Sequence, residues 1–473
     1  MTLHELMAPL MFGAMVIFLL YGFPVAFTLS AVGLVFGFIA IELGYFNFIF
    51  LQALPERVFG IMANDLLLAI PFFTFMGAVL ERAGLAEDLL EGLGQLFGPV
   101  RGGLGYAVIV VGAILGAITG TVAASVIAMG MISLPVMLRY GYDRRYATGV
   151  IAASGVITQL IPPSLVLIVL ADQLGRSVGD MYLGAWGPSA VQVLLFCAYT
   201  AWLSVMRPEK VPALPPEART LHGWALASKI LWGIVPSLVL IFLVLGTLLL
   251  GLATPTEGGA MGAVGALALA ALHRRLTWDL CRQAMSTTMR ITSMVVFILV
   301  GSTVFTLTFR GVDGDTWIEH LLTGLPGGVV GFLIFVNLFV FVLAFFLDFF
   351  EIAFIIIPLL APVADKLGID LIWFGVLLGV NMQTSFMHPP FGFALFYLRA
   401  IAGKTVPTRD IYMGAIPWLV LQLVMVGIVI AFPELVTGLL TKAPQVDLNT
   451  IQIEVPMGDD GSNGGDLAPP SFK

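Results

Sequence analysis

The chain has 473 residues, 59% of them hydrophobic and 11% charged, with a mean hydropathy of +1.01, well above that of soluble domains. Apolar runs of about 20 residues, the length that crosses a bilayer, recur from residue 8 to residue 431 and leave no room for a soluble catalytic domain. The net charge of −7 is thinly spread; two distant cysteines, Cys197 and Cys281, and five histidines without ligand spacing argue against a disulfide framework or a structural metal.

Residues 1 to 27 lack the basic start and small-residue cleavage site of a secretory signal and read as a retained membrane segment. Further along, basic residues gather in “RYGYDRR” (139 to 145), in the Pro-rich linker 207–229, in 273–290, and at Arg399, Lys404 and Arg409. The positive-inside rule assigns these to the cytoplasm. Segments 171–180, 311–320 and 364–370 are poor in Lys and Arg, lean acidic, and are expected outside. The acidic, Gly- and Pro-containing tail 443–473 cannot bury a core and is expected to be disordered on the outer side.

Between cytoplasmic 82–102 and 139–145, residues 103–138 must enter and leave by the same face. They read as a re-entrant hairpin whose tip holds Thr119, Gly120 and Thr121 among small and hydroxyl residues that permit a tight turn. The next apolar run, 146–170, carries Ser154, Gly155 and Thr158 and then the adjacent prolines Pro162 and Pro163. Beyond the linker the pattern returns. Pro389 and Pro390 interrupt the run 372–398, and at the spacing that carries Pro162 onto Pro389, taken without a gap, Gly84, Pro99, Pro135, Gly141 and Asp143 meet Gly311, Pro326, Pro362, Gly368 and Asp370. The turn after Pro135 is basic and its counterpart after Pro362 is not, so the copies point oppositely across the membrane. The predicted fold is an all-α integral membrane protein. Its first inverted repeat is 1–206 and its second 230–442, each with a re-entrant hairpin (103–138; 328–363) and a broken helix (146–170; 372–398).

Proline removes a backbone donor and frees carbonyls that hydrocarbon cannot satisfy. In broken-helix transporters such carbonyls coordinate a cation, and half-helix N-termini face an anion near the midplane; a simple kink is the competing reading. Ser154, Gly155 and Thr158, with Asn381, Thr384 and Ser385 in the second copy, offer hard oxygen ligands for a small cation such as Na⁺. Asp348, at the second tip where Thr121 stands in the first, is the strongest cation-ligand candidate, because a carboxylate at membrane depth is costly. The alternative is that Asp348 and Glu351 cap a hairpin helix. Pro162, Pro163, Pro389 and Pro390, with Glu351 and His388, are the candidates to line the substrate side, although His388 reads first as a satisfied, hydrogen-bonded histidine and only second as a site residue. Glu257, in “PTEGG”, reads as a structural helix-start residue.

“GYDRRYATGVIAASGVITQLIPPSLVLIVL” together with “FFLDFFEIAFIIIPLLAPVADKLGID” and “NMQTSFMHPPFGF” closely resembles the large membrane subunit of tripartite ATP-independent periplasmic (TRAP) transporters, over about residues 8 to 440. The resemblance implies a Na⁺-driven importer of small organic anions that works by an elevator motion of a transport domain against a scaffold. It implies two partners, a separate four-helix membrane subunit and a periplasmic substrate-binding protein, and a place in the bacterial inner membrane with both termini periplasmic. Family cation sites map onto Ser154 to Thr158, Thr119 to Thr121, Asp348, and Asn381 to Ser385. “DFFE” looks like the subgroup linked to oxo- and hydroxy-acids.

Overall fold

The computed structural model describes residues 3–119, 121–403 and 405–440; Gly120 and the tail expected from residue 443 lie outside these. The described residues are helical, without strands. The first half runs α1 (Leu3–Leu20), α2 (Val25–Glu42), α3 (Leu54–Met62), α4 (Asp65–Arg82), α5 (Leu85–Phe97), α6 (Gly103–Thr119), α7 (Val122–Arg139), α8 (Arg144–Val156), α9 (Leu165–Leu174) and α10 (Val178–Met206). After the linker come α11 (Gly223–Ile241), continued through a π turn into α12 (Thr247–Leu249), then α13 (Pro255–Leu272), α14 (Trp278–Gly311), α15 (Gly314–Thr323) and α16 (Gly328–Leu343). The chain continues with α17 (Phe349–Ile355), α18 (Ile357–Lys366), α19 (Leu371–Met382), α20 (Phe393–Ala402), α21 (Thr408–Ala431) and α22 (Glu434–Thr437). Six helices, or eight if the pairs bent by 48° at residues 63–64 and 116° at 324–327 each count once, are long and apolar enough to cross a membrane.

Each half contains the hairpin and interrupted helix expected from the sequence. α6 and α7 are the arms of the first hairpin, while α16 turns through 344–348 into α17 and α18. α8 and α19 both begin on an aspartate cap, Asp143 accepting from the Tyr146 amide at 3.0 Å and Asp370 from the Trp373 amide at 2.8 Å. The glycine two positions before each cap, Gly141 or Gly368, has φ of +80° or +72°, a turn conformation open to glycine at little cost. Both helices tighten to 3-10 geometry, at Ile157–Gln159 and Gln383–Phe386, before cis Pro162-Pro163 and cis Pro389-Pro390.

The correspondence is not gapless, however. The spacing that pairs Pro162 with Pro389 also pairs the two N-caps Thr121 and Asp348, but the starts of α6 and α16, Gly103 and Gly328, are closer together than that spacing requires. The second tip therefore contains additional residues. Nor does Gly311 play the part of Gly84. The left-handed residue that starts α5 is Gly84 (φ +68°), and the one that starts α15 is Asp313 (φ +57°). Asp is among the few non-glycine residues that adopt this region, which is why an identity search paired the wrong residue.

The halves exchange packing partners. α2 lies on α14 while α13 lies on α4, and α10 contacts α19 while α21 contacts α8. Glycines set these close approaches: a Cβ at Gly33 would lie 2.9 Å from the Phe305 amide nitrogen, and one at Gly414 would lie 2.2 Å from the Arg145 carbonyl oxygen. α13 opens with a complete capping box, in which Thr254 accepts from the Glu257 amide and Glu257 accepts from the Thr254 amide. This bears out the structural role expected of Glu257. Thr254→Ala should cost about 1 kcal/mol of stability, read as a modest drop in thermal midpoint with transport unchanged.

Candidate functional site

The first break is assembled by small residues that let the hairpin backbone lie against it. A Cβ at Gly112 would come within 2.6 Å of the Ser154 carbonyl oxygen, one at Gly116 within 2.7 Å of Thr158 Cα, and one at Gly155 within 2.2 Å of Val126. α6 and α7 therefore clamp the Ser154 to Thr158 segment from both arms of the hairpin. Ser154, Thr158 and the whole turn through Ser164 are buried.

Several main-chain carbonyls at the break are covered by hydroxyls, that of Gln159 among those that the prolines free. Thr158 Oγ1 donates to the Gly155 carbonyl at 2.8 Å, Ser164 Oγ to that of Gln159, and Ser189 Oγ to that of Leu160 at 3.1 Å. The Ser164 hydroxyl thus stands in at Gln159 for the N–H that Pro163 lacks. Two side-chain oxygens remain over: Ser154 Oγ and Gln159 Oε1 are buried without a hydrogen-bond partner among the described residues.

The second break repeats this arrangement. Ser385 Oγ donates to the Met382 carbonyl at 2.7 Å, the counterpart of Thr158 on Gly155, and Thr384 Oγ1 donates to the Asn381 carbonyl at 2.7 Å. Asn381 corresponds to Ser154. Its amide nitrogen donates to the carbonyl and side-chain oxygens of Asn337 at 2.8 and 3.1 Å, and its own Oδ1 is buried without a partner among the described residues. Counted from the helix starts Gly103 and Gly328, Asn337 stands on α16 where Gly112 stands on α6. Sequence comparison at the spacing of the proline pairs misses this match. The shorter spacing of the helix starts could have revealed it.

At the second tip, Asp348 and Glu351 form a capping box: Asp348 Oδ1 accepts from the Glu351 amide at 2.9 Å and Glu351 Oε2 accepts from the Asp348 amide at 2.8 Å. The capping alternative weighed for these residues is therefore present in the structure. The Phe350 amide also lies against the Asp348 carboxylate. Thr121 begins α7 in extended geometry without a side-chain cap bond. Gly120 and the Thr119 side chain lie outside the described residues.

His388 is held chiefly by aromatic packing. Its buried ring stacks on Phe345 at 4.0 Å between centroids and meets Phe341 edge-on at 4.4 Å. Neither ring nitrogen has a well-aligned hydrogen bond among the described residues, although the Ala344 backbone lies close. The ring thus ties the second tip to the second break. Pro162 and Pro163 are buried, Pro163 lining a narrow gap with Met76, Ile118 and Leu240, whereas Pro389 is half-buried and Pro390 exposed. The two proline pairs do not present equivalent surfaces. Sequence reasoning also overlooked a buried amide pair, Gln192 donating to Gln383 at 2.7 Å, which joins α10 to the second break.

Two interrupted helices, each clasped by a hairpin and each retaining unpartnered buried oxygen, in a chain with six or more helices long and apolar enough to cross a bilayer, define an integral membrane protein of broken-helix architecture. The chain matches the family model “Tripartite ATP-independent periplasmic transporter, DctM component” over residues 12–435. It is 31% identical to the C4-dicarboxylate TRAP transporter large permease protein DctM of Pseudomonas aeruginosa, covering 81% of this chain and 88% of that one. It is 28% identical to the sialic acid TRAP transporter large permease protein SiaM of Vibrio cholerae, covering 87% and 93%. The crystal structure of the Alcanivorax borkumensis YdaH transporter shares the fold, with a TM-score of 0.57 at 16% identity over 81% of this chain and 88% of that one.

The chain belongs to the DctM family, the large permease component of tripartite ATP-independent periplasmic transporters. It is a multi-pass transport protein rather than an enzyme.

Proposed function

We propose that this subunit imports a small organic anion, a carboxylate such as an oxo- or hydroxy-acid, driven by Na⁺ in the bacterial inner membrane. A periplasmic binding protein delivers the substrate, and a separate four-helix membrane subunit completes the scaffold. The observation that carries this reading is the repeated orphan oxygen: Ser154 Oγ and Asn381 Oδ1, at matched positions of the two halves, are both buried without partners among the described residues, on hairpin-clasped breaks. A buried acceptor without a donor costs about 1 to 3 kcal/mol, and a cation bound to it would offset that cost. Serine hydroxyl, asparagine carbonyl and neighbouring main-chain oxygens are hard ligands suited to Na⁺. Thr158, Thr384, Ser385 and Gly155 hold the breaks around them, and in this reading the tips, Thr119 to Thr121 and Asp348, supply the further ligands. Pro389, Pro390 and His388 lie at the more open second break and Glu351 at the second tip, and in this reading a substrate binds there.

The charge pattern of the loops supports an inverted arrangement, with both termini periplasmic. α2, α4, α13 and α14 would then form the static frame, and the hairpins with the broken helices the moving elevator. Asp348→Asn tests the tip: asparagine caps a helix about as well as aspartate, so assembly should persist while the sodium dependence of uptake weakens.

Uptake into proteoliposomes containing both membrane subunits and a loaded binding protein, with and without an imposed Na⁺ gradient, tests the whole reading. Accumulation that needs both the gradient and the binding protein is expected. Equal uptake without a gradient would overturn the coupling. Full uptake without the binding protein would favour a stand-alone symporter.

A further inference from the structure

The geometry points to a reception site for the substrate on the outer face, centred on Arg57 and Asp172 and suited to an organic acid that bears a hydroxyl as well as its carboxylate. This inference rests on the import reading above and adds where the anion first binds and what chemistry it carries. A cleft of about 360 Å³ opens between α3, α4 and α14 on one side and α9, α17 and α18 on the other. α4 and α14 belong to the proposed frame and α9, α17 and α18 to the proposed moving body, so a ligand seated there bridges the two. Its volume suits a small acid rather than a macromolecule.

The charges in the cleft are unusual for this face. Among the described residues, the Lys and Arg side chains in, beside or facing the segments expected outside are Arg57, Arg176, Arg310 and Lys366. Arg176 pairs with Asp365 at 3.6 Å, Arg310 with Asp315 at 2.9 Å, and Lys366 with Glu319. Arg57 alone makes no ion pair or hydrogen bond among the described residues, and it lines the cleft. A guanidinium is a planar fork of donors that matches a carboxylate in bidentate fashion.

Asp172 lines the same cleft without pairing to Arg57. Its two oxygens accept from Asn64 Nδ2 and Gln173 Nε2, both at 2.9 Å, which fixes the carboxylate while leaving lone pairs for further donors. Thr303 and Thr306 on α14 add hydroxyls to the lining. A simple fatty acid would satisfy Arg57 and leave Asp172 facing methylenes. A hydroxy acid satisfies both ends.

The test uses proteoliposomes of the two-subunit complex with loaded binding protein, and malate, succinate, lactate, propionate, gluconate and sialic acid as probes. R57Q should raise the apparent KM for transported acids about ten-fold or more, R57K less, with the Na⁺ concentration at half-maximal rate unchanged. D172N should narrow the preference for a hydroxy acid over its deoxy partner, malate against succinate or lactate against propionate. Should R57Q not assemble, Thr303→Val and R57K provide the same KM readout. The inference is overturned if wild type transports normally and these variants match it. It is also overturned if the KM change is fully explained by weaker docking of the binding protein, measured separately by biolayer interferometry. An unchanged hydroxy-to-deoxy ratio in D172N removes the assignment of the donor end. Failure of wild type to accumulate any probe on a Na⁺ gradient would instead refute the import reading itself.

Discussion

Asn381→Ala is expected to raise the Na⁺ concentration for half-maximal uptake at least about ten-fold, and Ser154→Ala to do so by a comparable or smaller factor. Losing one good polar ligand to a buried ion costs about 1.5 to 3 kcal/mol, and each 1.4 kcal/mol is a factor of about ten in affinity. Asn381→Ala removes the unpartnered Oδ1 and also the two bonds to Asn337, so it should have the larger effect. Ser154 makes no hydrogen bond with its Oγ among the described residues. Its alanine variant should therefore assemble and melt like the parent, and any rise in sodium requirement reports the lost ligand rather than lost structure. Proteoliposome uptake titrated against external Na⁺ at constant ionic strength, with the thermal midpoint followed alongside, separates the two contributions.

Gly112→Leu is expected to abolish assembly or transport. An added Cβ would meet the Ser154 carbonyl oxygen at 2.6 Å, Ser154 Cβ at 2.7 Å and the Ser154 carbonyl carbon at 3.0 Å. Two of these three are backbone atoms, so no rotamer change relieves the clash. Overpacking a tight core costs about 1 to 3 kcal/mol even where neighbours can yield, and here the hairpin itself must shift away from the first break. Gly13→Leu is the control: it lies in α1, and a Cβ there meets nothing within 4 Å. Size-exclusion profiles of the two variants before and after mild heating should differ, with Gly13→Leu matching wild type. A fully active Gly112→Leu would mean that α6 does not clasp the Ser154 segment.

Much of the architecture was legible because backbone punctuation survives when apolar side chains drift. Pro162-Pro163 and Pro389-Pro390, Gly141 and Gly368, and Asp143 and Asp370 each perform one conformational task that few residues can replace. The hairpins followed from loop charge and small residues at a tip. What stayed hidden depended on interactions between distant segments. The pairing of Asn337 with Asn381 was obscured because the second tip is longer, so the spacing between the halves ahead of the tips is shorter than the one beyond them. Asp313 took the left-handed position that the sequence match gave to Gly311. The hydroxyls of Ser164 and Ser189 cover carbonyls that a reading of proline chemistry alone leaves open, because satisfaction of a buried acceptor is set by neighbours in space. The stacking of His388 between Phe345 and Phe341 is likewise a tertiary fact.

The two breaks also differ in their surroundings. Leu165 to Ala171 of α9 are buried throughout, whereas Pro390, Phe391, Phe393, Phe396 and Arg399 are exposed along the second break and α20. Halves that repeat in sequence thus sit in unequal environments.

Equilibrium binding of ²²Na⁺ to the purified two-subunit complex in nanodiscs tests the central claim most directly. If each break holds a cation, Ser154→Ala and Asn381→Ala should each remove one class of bound sodium at low concentration, and the double variant should retain neither. Binding by the double variant that is indistinguishable from wild type would contradict the account.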